Sequence, residues 1–227
     1  MKASLKGTIL FTALILISVS SFSAKHVFIH FFKTWPDAQT YCRKHHTDLS
    51  PISNEVEYQM FRRLFFESSF WIEGWIGLYF NEKSPTKWSW SGGANATKTD
   101  RFSFDSQGRY MIWNKNGFYS SYRYNDRFFC FNLMVDEVKK TWEEALEHCR
   151  ETHTDLTSLN SETERLLALS EIQHDHITER VWIGLRFLGD RWLWEHQCPL
   201  RKRCGALTKE GHWENWDCEE KLHFICY

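Results

Sequence analysis

The chain contains one long motif twice. The segment KTWPDAQTYCRKHHTDLS, which begins at Lys33, returns at Lys140 as KTWEEALEHCRETHTDLT. The same spacing holds up to the segment WIGL, which begins at Trp75 in the first copy and at Trp182 in the second. Self-similarity over such a stretch indicates two homologous units, and each unit must bury a core of its own.

Aromatic and cysteine anchors continue the match, with a spacing that shortens because the second copy has fewer residues. We align Trp90 with Trp194, Trp113 with Trp213, and Cys130 with Cys226. Large apolar side chains that recur at matched positions are expected to pack in the two cores. The tryptophans predicted to be structural are Trp75, Trp90, Trp113, Trp182 and Trp194.

The N-terminal segment is typical of a secretory signal peptide. Two lysines, an apolar run and small residues precede an expected cleavage after Ser23. An uncleaved signal anchor is the alternative, although the apolar run is shorter than the about 20 residues that span a bilayer. We therefore predict a signal peptide at 1–23, domains at 24–131 and 132–227, and a secreted, extracellular protein whose mature chain has no membrane span.

Both copies predict two helices followed by several short strands. Thr34 and Thr141 are expected as N-caps of the first helices, and Thr141 with Glu144 matches a capping box. Second helices are expected to begin around Asn54 and Ser161, and short aromatic strands follow them. This order of elements favours the α+β class for each unit.

Charge is unevenly distributed along the chain. Residues 25–129 carry 14 basic and 10 acidic side chains, whereas residues 130–227 carry 12 and 19. The tightest basic cluster is Arg201-Lys202-Arg203, which is typical of a solvated loop. A nucleic-acid binder would concentrate basic charge on one face, so we expect no nucleic-acid partner.

Taken together, these residues resemble the C-type lectin-like domains. The shared pattern is a helix cysteine, a Trp-Ile-Gly-Leu strand, a Trp-x-Trp strand, a tryptophan before a cysteine pair, and a terminal Phe-Ile-Cys-Tyr. The resemblance runs from about His26 to Tyr227, and the second copy fits it best. It implies two domains, each with two helices and short antiparallel strands braced by disulfides. It indicates function less specifically, because this family binds sugars, proteins, lipids and ice on one scaffold.

The resemblance also implies how the seven cysteines pair. The implied bridges are Cys42–Cys130, Cys149–Cys226 and Cys204–Cys218. Cysteines that follow a signal peptide are expected to oxidise in the secretory route. Cys198 is left over as a spare thiol, an alternative partner for Cys218, a thiol capped by a small molecule, or the bridge of a disulfide-linked homodimer.

Sugar-binding members of the family hold calcium with a Glu-Pro-Asn or Gln-Pro-Asp loop and a Trp-Asn-Asp strand. None of the four prolines here has such flanking oxygens, and nine residues separate Trp194 from Cys204, where the loop belongs. Copy one reads Trp113-Asn114-Lys115, and copy two keeps only Glu214 and Asn215 as a weak remnant. Calcium needs about 6–8 oxygen ligands, so we expect no calcium and no other cofactor.

Catalytic constellations are missing from the sequence as well. The histidine pairs His45-His46 and His174-x-His176 have no third ligand at a recognised zinc spacing. No glycine-rich phosphate loop and no nucleophile elbow occurs. We expect no enzyme, and a metalloenzyme or hydrolase is only a remote alternative.

The main hypothesis is therefore a secreted recognition protein for an extracellular glycan, glycoprotein or protein, which works without the usual calcium site. The alternative is an adhesion or dimerisation protein that uses the fold as a scaffold. Aromatic side chains that do not recur between the copies suit a sugar-stacking surface, although packing is the commoner role of such residues. The candidate ligand-binding residues are Trp213, Glu214, Asn215, Trp216, Tyr119 and Tyr122; further unrepeated aromatics are Trp71, Phe118 and Tyr124. Asn95 begins an Asn-Ala-Thr sequon and is a predicted glycosylation site.

Overall fold

The computed structural model describes residues 25–66, 72–96, 102–103, 107–188, 191–194 and 203–227. We call residues 25–133 the first repeat and residues 134–227 the second repeat. The strands of the first repeat are β1 (His26–Lys33), β2 (Asp48–Leu49), β3 (Glu73–Phe80), β4 (Trp88–Trp90), β5 (Phe102–Ser103), β6 (Tyr110–Asn114), β7 (Gly117–Ser121) and β8 (Asp126–Phe131). Its helices are α1 (Trp35–His45) and α2 (Glu55–Phe66).

The second repeat has the same order of elements with fewer strands. Its strands are β9 (Met134–Lys140), β10 (Arg180–Leu188), β11 (Arg191–Trp194), β12 (Arg203–Thr208), β13 (Trp213–Asp217) and β14 (Leu222–Cys226). Its helices are α3 (Trp142–Thr152) and α4 (Glu162–Ile172). No helix in the described ranges has the length and apolar character needed to cross a lipid bilayer.

Each repeat has its own sheet, and both sheets are mixed. The first follows the order β1-β8-β3-β6-β7-β5, with β2 beside β8 and β4 beside β3. The second follows β13-β12-β10-β14-β9, with β11 beside β10. The pairs β3–β8, β5–β7 and β10–β14 are parallel. The α+β class is confirmed, and most strand pairs are antiparallel as expected. The central strand of each repeat is parallel to the last strand, and other strands of the repeat lie between the two in the chain.

The first helix of each repeat is fixed at its start and along its inner face. The Thr34 side chain accepts a hydrogen bond from the backbone of Asp37, and Thr141 forms a full capping box with Glu144. The buried inner faces consist of Trp35, Ala38 and Cys42 in α1 and of Trp142, Ala145 and Cys149 in α3. The cysteines on these faces can therefore reach the last strand of the sheet.

Three disulfide bonds join the pairs that the resemblance implied. Cys42–Cys130 and Cys149–Cys226 tie each first helix to the last strand, across sequence separations of 88 and 77 residues. Cys204–Cys218 closes a loop with a separation of 14 residues in the second repeat. Closing the two long loops is worth about 4–5 kcal/mol each in the chain-entropy model of the unfolded state.

The central strand of each repeat also requires a glycine. A Cβ on Gly77 would lie 2.9 Å from the carbonyl oxygen of Leu49, and one on Gly184 would lie 2.9 Å from that of Leu156. The same glycines donate backbone hydrogen bonds to Ser50 and Thr157. The third residue of each WIGL segment is therefore small because another backbone crosses directly over it.

A buried charge cluster lies where the two repeats meet. The Lys25 ammonium is 2.7 Å from a Glu164 carboxylate oxygen and 3.4 Å from a Glu57 oxygen, and it donates to the backbone carbonyl of Ser158 at 2.8 Å. Glu57 and Glu164 occupy matched positions in α2 and α4, and both side chains are fully buried. One lysine therefore faces two carboxylates in a site that water does not reach.

Electrostatics in this cluster favour one retained proton. Burial raises the pKa of Glu57 well above its usual range, the nearby Glu164 raises it further, and Lys25 opposes the shift only in part. Burial lowers the pKa of Lys25, but Glu164 and Glu57 outweigh this effect, so that its pKa is raised. His26, also buried, has a lowered pKa because of desolvation and the charge on Lys25. Lys25 is therefore charged, and Glu57 retains its proton beside it.

We predict that the junction loses stability as the pH rises. A folded-state pKa above the unfolded value gives Glu57 a stabilising contribution that is complete at low pH and lost as the pH passes through the folded pKa. Glu57→Gln imitates the protonated form and should remove that part of the pH dependence. The measurement is the free energy of unfolding by denaturant from about pH 5 upwards, taken as the difference between variant and wild type.

The control is Glu55→Gln, because Glu55 is exposed on the same helix. It should follow the wild-type profile. If Glu57→Gln and Glu55→Gln give parallel curves over the whole range from about pH 5 upwards, Glu57 does not retain a proton in the folded state.

Candidate functional site

The strand pairing shows which residues of the two repeats are equivalent in the outer hairpin, and this equivalence differs from the one that the sequence alignment gave. In the second repeat, Trp182 on β10 pairs with Ala206 on β12, and Ala206 pairs with Glu214 on β13. In the first repeat, Trp75 on β3 pairs with Ile112 on β6, which pairs with Tyr119 on β7. Strand β6 therefore corresponds to β12, and β7 corresponds to β13.

This register makes the alignment of Trp113 with Trp213 wrong. Trp113 pairs with Gly74 on the central strand and is 1% exposed, whereas Trp213 lies one strand further out and is 45% exposed. The spatial counterpart of Trp113 is Leu207, which pairs with Val181. Trp213 is a surface residue rather than a core residue, and the Trp113-Asn114-Lys115 segment does not lie at the family's metal-ligand position.

In the second repeat, the side-chain oxygens of Glu214 and Asn215 each accept a hydrogen bond from an arginine. The Arg180 guanidinium donates to a Glu214 carboxylate oxygen at 2.6 Å and stacks 4.2 Å above the ring centre of Trp216. Arg203 donates to the Asn215 side-chain oxygen at 2.8 Å. The charge of the Glu214 carboxylate is therefore balanced by the Arg180 guanidinium rather than by a metal ion.

The first repeat has the corresponding contact with the charges exchanged. Glu73 on β3 is the counterpart of Arg180, and it accepts hydrogen bonds from Tyr119 at 2.6 Å and from Asn114 at 2.9 Å. Arg123 also donates to Glu73, and it pairs with Asp126 at 2.8 Å. The carboxylate is therefore on the central strand in one repeat and on the outer strand in the other.

Hydrogen bonding determines the protonation of the Glu73 group. Burial raises the pKa of Glu73, but the hydrogen bonds from Tyr119, Asn114 and Arg123 outweigh it and hold the pKa below its usual range. Burial and the bond to Glu73 raise the pKa of Tyr119, so its hydroxyl stays protonated and donating. The group is a stable ion-pair network without a free acid or base for catalysis.

The remaining candidate residues are dispersed. Tyr122 and Tyr124 are 78% and 82% exposed, whereas Phe118 is buried against Phe102 and Tyr58. Trp71 and Cys198 lie outside the described residues, and of Trp194 only the backbone pairing with Leu185 is described. Within the part of the chain that the structure describes, no cluster of three or more His, Cys, Asp or Glu side chains is arranged to hold a metal ion.

A cleft of about 370 Å³ lies between the repeats, and Asn95 is at its edge. Trp90 and Asn95 line it from the first repeat, and Ser161 and Leu166 line it from the second. Asn95 is exposed, and its side-chain oxygen accepts a hydrogen bond from Ser84 at 2.9 Å. A glycan on this asparagine would begin beside the junction of the two repeats.

Two exposed aromatic residues on the edge strand β1 were not predicted as candidate site residues. Phe31 is 45% exposed and Phe32 is 59% exposed. At the spacing of the repeat, the second copy has Val138 and Lys139 there. The signal was available in the sequence, because consecutive aromatic residues without aromatic counterparts in the other copy are not demanded by the shared fold.

Comparison with known proteins identifies the scaffold. The family model described as the lectin C-type domain matches residues 32–133 and again residues 138–227. The chain belongs to the C-type lectin domain family. Its two matches coincide with the two sheets, so the family assignment holds for both repeats.

Curated relatives in this family are similar to one repeat at a time. A chain of the snaclec VP12 from Daboia palaestinae is 32% identical over 114 residues, which cover 43% of this chain and 86% of that protein. The human secretory phospholipase A2 receptor is 33% identical over 119 residues, or 43% of this chain and 8% of the receptor. Human lymphocyte antigen 75 is 28% identical over 117 residues, again 43% of this chain and 7% of that protein. The chain thus corresponds to a small part of the two larger proteins.

Two solved structures are similar to part of this chain. Human lithostathine has 24% sequence identity and a TM-score of 0.36, with coverage of 41% of this chain and 88% of lithostathine. The carbohydrate-recognition domain of the mouse scavenger receptor C-type lectin has 22% identity and a TM-score of 0.35, with coverage of 41% and 84%. Each of these matches covers about the length of one repeat.

We predict that Glu73→Gln destabilises the protein by about 1–2 kcal/mol at neutral pH, because three donors lose their charged acceptor and Arg123 is about half exposed. A lowered pKa means that the Glu73 contribution is present above the usual glutamate pKa and is lost as the pH falls through the folded value. The deficit of the variant should therefore shrink in acid. Denaturant unfolding at neutral and acidic pH measures this.

Glu214→Gln is the matched control, because it interrupts the corresponding contact in the second repeat. The Arg180–Glu214 pair is about one third exposed on both sides, so its loss should cost only about 0–1 kcal/mol. Equal effects of the two substitutions, or a Glu73→Gln deficit that persists in acid, would contradict the assignment.

Proposed function

We propose that this protein is a secreted recognition protein with two tandem C-type lectin domains, which binds extracellular glycans or proteins without calcium. The family assignment supports recognition rather than catalysis, since the relatives are lectin-like binding proteins. Asn95 is expected to carry a glycan, and Cys198 is expected to be either unpaired or the bridge of a homodimer. Adhesion through such a dimer is the second candidate function.

The single observation that carries calcium independence is the donor set of β13, whose two remnant oxygens, on Glu214 and Asn215, each accept a hydrogen bond from an arginine. A calcium ion requires its ligand oxygens to be unpaired and convergent. Here the outer-strand carboxylate already accepts a charge-assisted hydrogen bond, and Asn215 accepts one from Arg203. In the first repeat, Tyr119 and Ser120 occupy the positions of Glu214 and Asn215.

Exposed aromatic side chains on the outer strand and the following loop supply a contact surface instead. Trp213 and Tyr122 project into solvent, and Trp216 lies half-buried beneath the Arg180 guanidinium. Aromatic rings of this kind combine a large apolar area with few rotatable bonds, which lowers the entropy cost of binding. We propose that ligands contact these residues in place of a metal.

The decisive experiment compares binding in calcium with binding in chelator. The full secreted chain is applied to arrays of glycans and of extracellular proteins in about millimolar calcium and again in excess EDTA. We expect the same ligands with unchanged affinity, and a melting temperature that calcium does not raise.

Two variants make the result specific. Trp213→Ala should weaken binding of whichever ligand is found. Arg180→Gln releases Glu214 but leaves too few oxygens for a site, so it should not create a calcium-dependent rise in melting temperature. Sugar binding that EDTA abolishes would refute the proposed mode of recognition.

A further inference from the structure

An irregularity in the edge strand exposes two adjacent aromatic rings. On β1, Ile29 pairs with Phe128 and Lys33 pairs with Asp126, so that residues 30–32 lie opposite the single residue Arg127. Neighbouring side chains in a regular strand point to opposite faces, and one of two consecutive phenylalanines would be covered. The extra residues turn both Phe31 and Phe32 towards solvent.

Two cations lie over these rings. The Lys33 ammonium is 5.5 Å from the ring centre of Phe31 and 5.9 Å from that of Tyr41. The Arg127 guanidinium is 5.6 Å from the ring centre of Phe32. Phe31 also meets Tyr41 edge to face at 5.1 Å. We call Phe31, Phe32, Lys33, Tyr41 and Arg127 the aromatic–cation patch.

The positive charge of this patch is not balanced nearby. Among the described residues, no carboxylate oxygen lies within 4 Å of the Lys33 ammonium or of the Arg127 guanidinium. Asp126, the nearest acid along the strand, is paired with Arg123 instead. Both cations can therefore accept an anionic group from outside the chain.

The fold does not require the patch. At the spacing of the repeat, β9 has Val138 and Lys139 in place of the phenylalanines, and α3 has His148 in place of Tyr41. The strand irregularity itself recurs, between Leu222 and Phe224 of the partner strand. In the second repeat, His148 lies 2.7 Å from a carboxylate oxygen of Asp136. The same scaffold thus forms with and without exposed aromatic rings.

From this geometry we infer that the aromatic–cation patch is a second binding surface, specific for an anionic polysaccharide such as a sulfated sugar chain. This inference rests on the proposed function. It names a ligand class for the edge strand β1, which lies at the other side of the sheet from the outer strand β7. The C–H groups of a sugar ring pack on the negative face of an aromatic ring. Sulfate or carboxylate groups on the same chain would pair with Lys33 and Arg127, which the rings hold in place.

A polysaccharide fits this surface better than an extended acidic peptide. A peptide would bind an edge strand through a continuous backbone ladder, and the irregular register of residues 30–32 interrupts that ladder. The recognition groups that project are side chains, namely rings with flanking cations. Such a surface binds a ligand made of repeated sugar rings with attached charges better than it binds a peptide backbone.

The test uses dextran sulfate and unsulfated dextran as a matched pair of probes for the full chain. We expect binding to dextran sulfate only, and affinity that falls steeply as salt is added. Lys33→Gln with Arg127→Gln, and separately Phe31→Ala with Phe32→Ala, should each lower the affinity about tenfold. Thermal unfolding confirms that each variant is folded, and Arg127→Lys should keep most of the affinity because it preserves the charge.

The charge control removes two cations from the equivalent strand of the second repeat, as Lys139→Gln with Lys140→Gln. It should leave dextran sulfate affinity within about twofold of the wild type, because it removes the same net charge without altering the patch. An equal loss in this control, or unchanged affinity in both patch variants, overturns the inference. Poly-L-glutamate that binds as tightly, with the same sensitivity to the phenylalanine substitutions, overturns it in favour of an acidic peptide.

The outcome separates this inference from the proposed function. If array ligands bind without calcium and the patch variants do not change their affinity or that of dextran sulfate, the proposed function holds and the second binding surface is refuted. Chelator-sensitive array binding would remove the proposed function, while the dextran sulfate result would still decide the patch.

Discussion

A buried indole must donate its N–H to an acceptor, and in both repeats this requirement connects the first helix to the central strand. Trp35 donates to the Ile76 carbonyl at 2.8 Å, and Trp142 donates to that of Ile183 at 2.9 Å. The central-strand tryptophans return the contact, since Trp75 and Trp182 each donate at 3.0 Å to a lysine carbonyl, Lys33 and Lys140, just before the helix. Because an unpaired buried N–H costs about 1–3 kcal/mol, these reciprocal bonds fix the helix relative to the sheet. The disulfides and both candidate surfaces depend on that placement.

Much of this arrangement could be predicted from the sequence. The duplicated motif located the helices, since Thr141 and Glu144 form the expected capping box and the buried cysteines face the last strand. The tryptophans Trp75 and Trp182 are buried as expected from their recurrence. Capping, helical periodicity and recurrence depend on residues close together in the sequence. They can therefore be recognised even though the second copy has lost residues between the matched tryptophans and cysteines.

The ligand-bearing hairpin could not be predicted in the same way. Trp113-Asn114 and Trp213-Glu214 look equivalent in the sequence, but they lie on non-equivalent strands of two different hairpins, the inner strand β6 and the outer strand β13. Which strand a residue occupies depends on pairing with Trp75 or Trp182, and the differing turn lengths of the two copies conceal that pairing. The exposure of Phe31 and Phe32 likewise depends on a strand irregularity that composition does not reveal. Long-range register is the information that the sequence alone did not supply.

The junction between the repeats has an evolutionary consequence. A duplication first produces two identical halves, yet at the spacing of the repeat the position that corresponds to Lys25 is Asn132, at the end of the first repeat. Asn132 contacts His46 rather than a carboxylate. Glu57 and Glu164 have stayed alike while the residue that neutralises them has diverged. A circularly permuted or shuffled chain would therefore have to carry the lysine strand with it. Lys25 of the first repeat thus pairs with Glu164 of the second, so the buried charge cluster is complete only when both repeats are present.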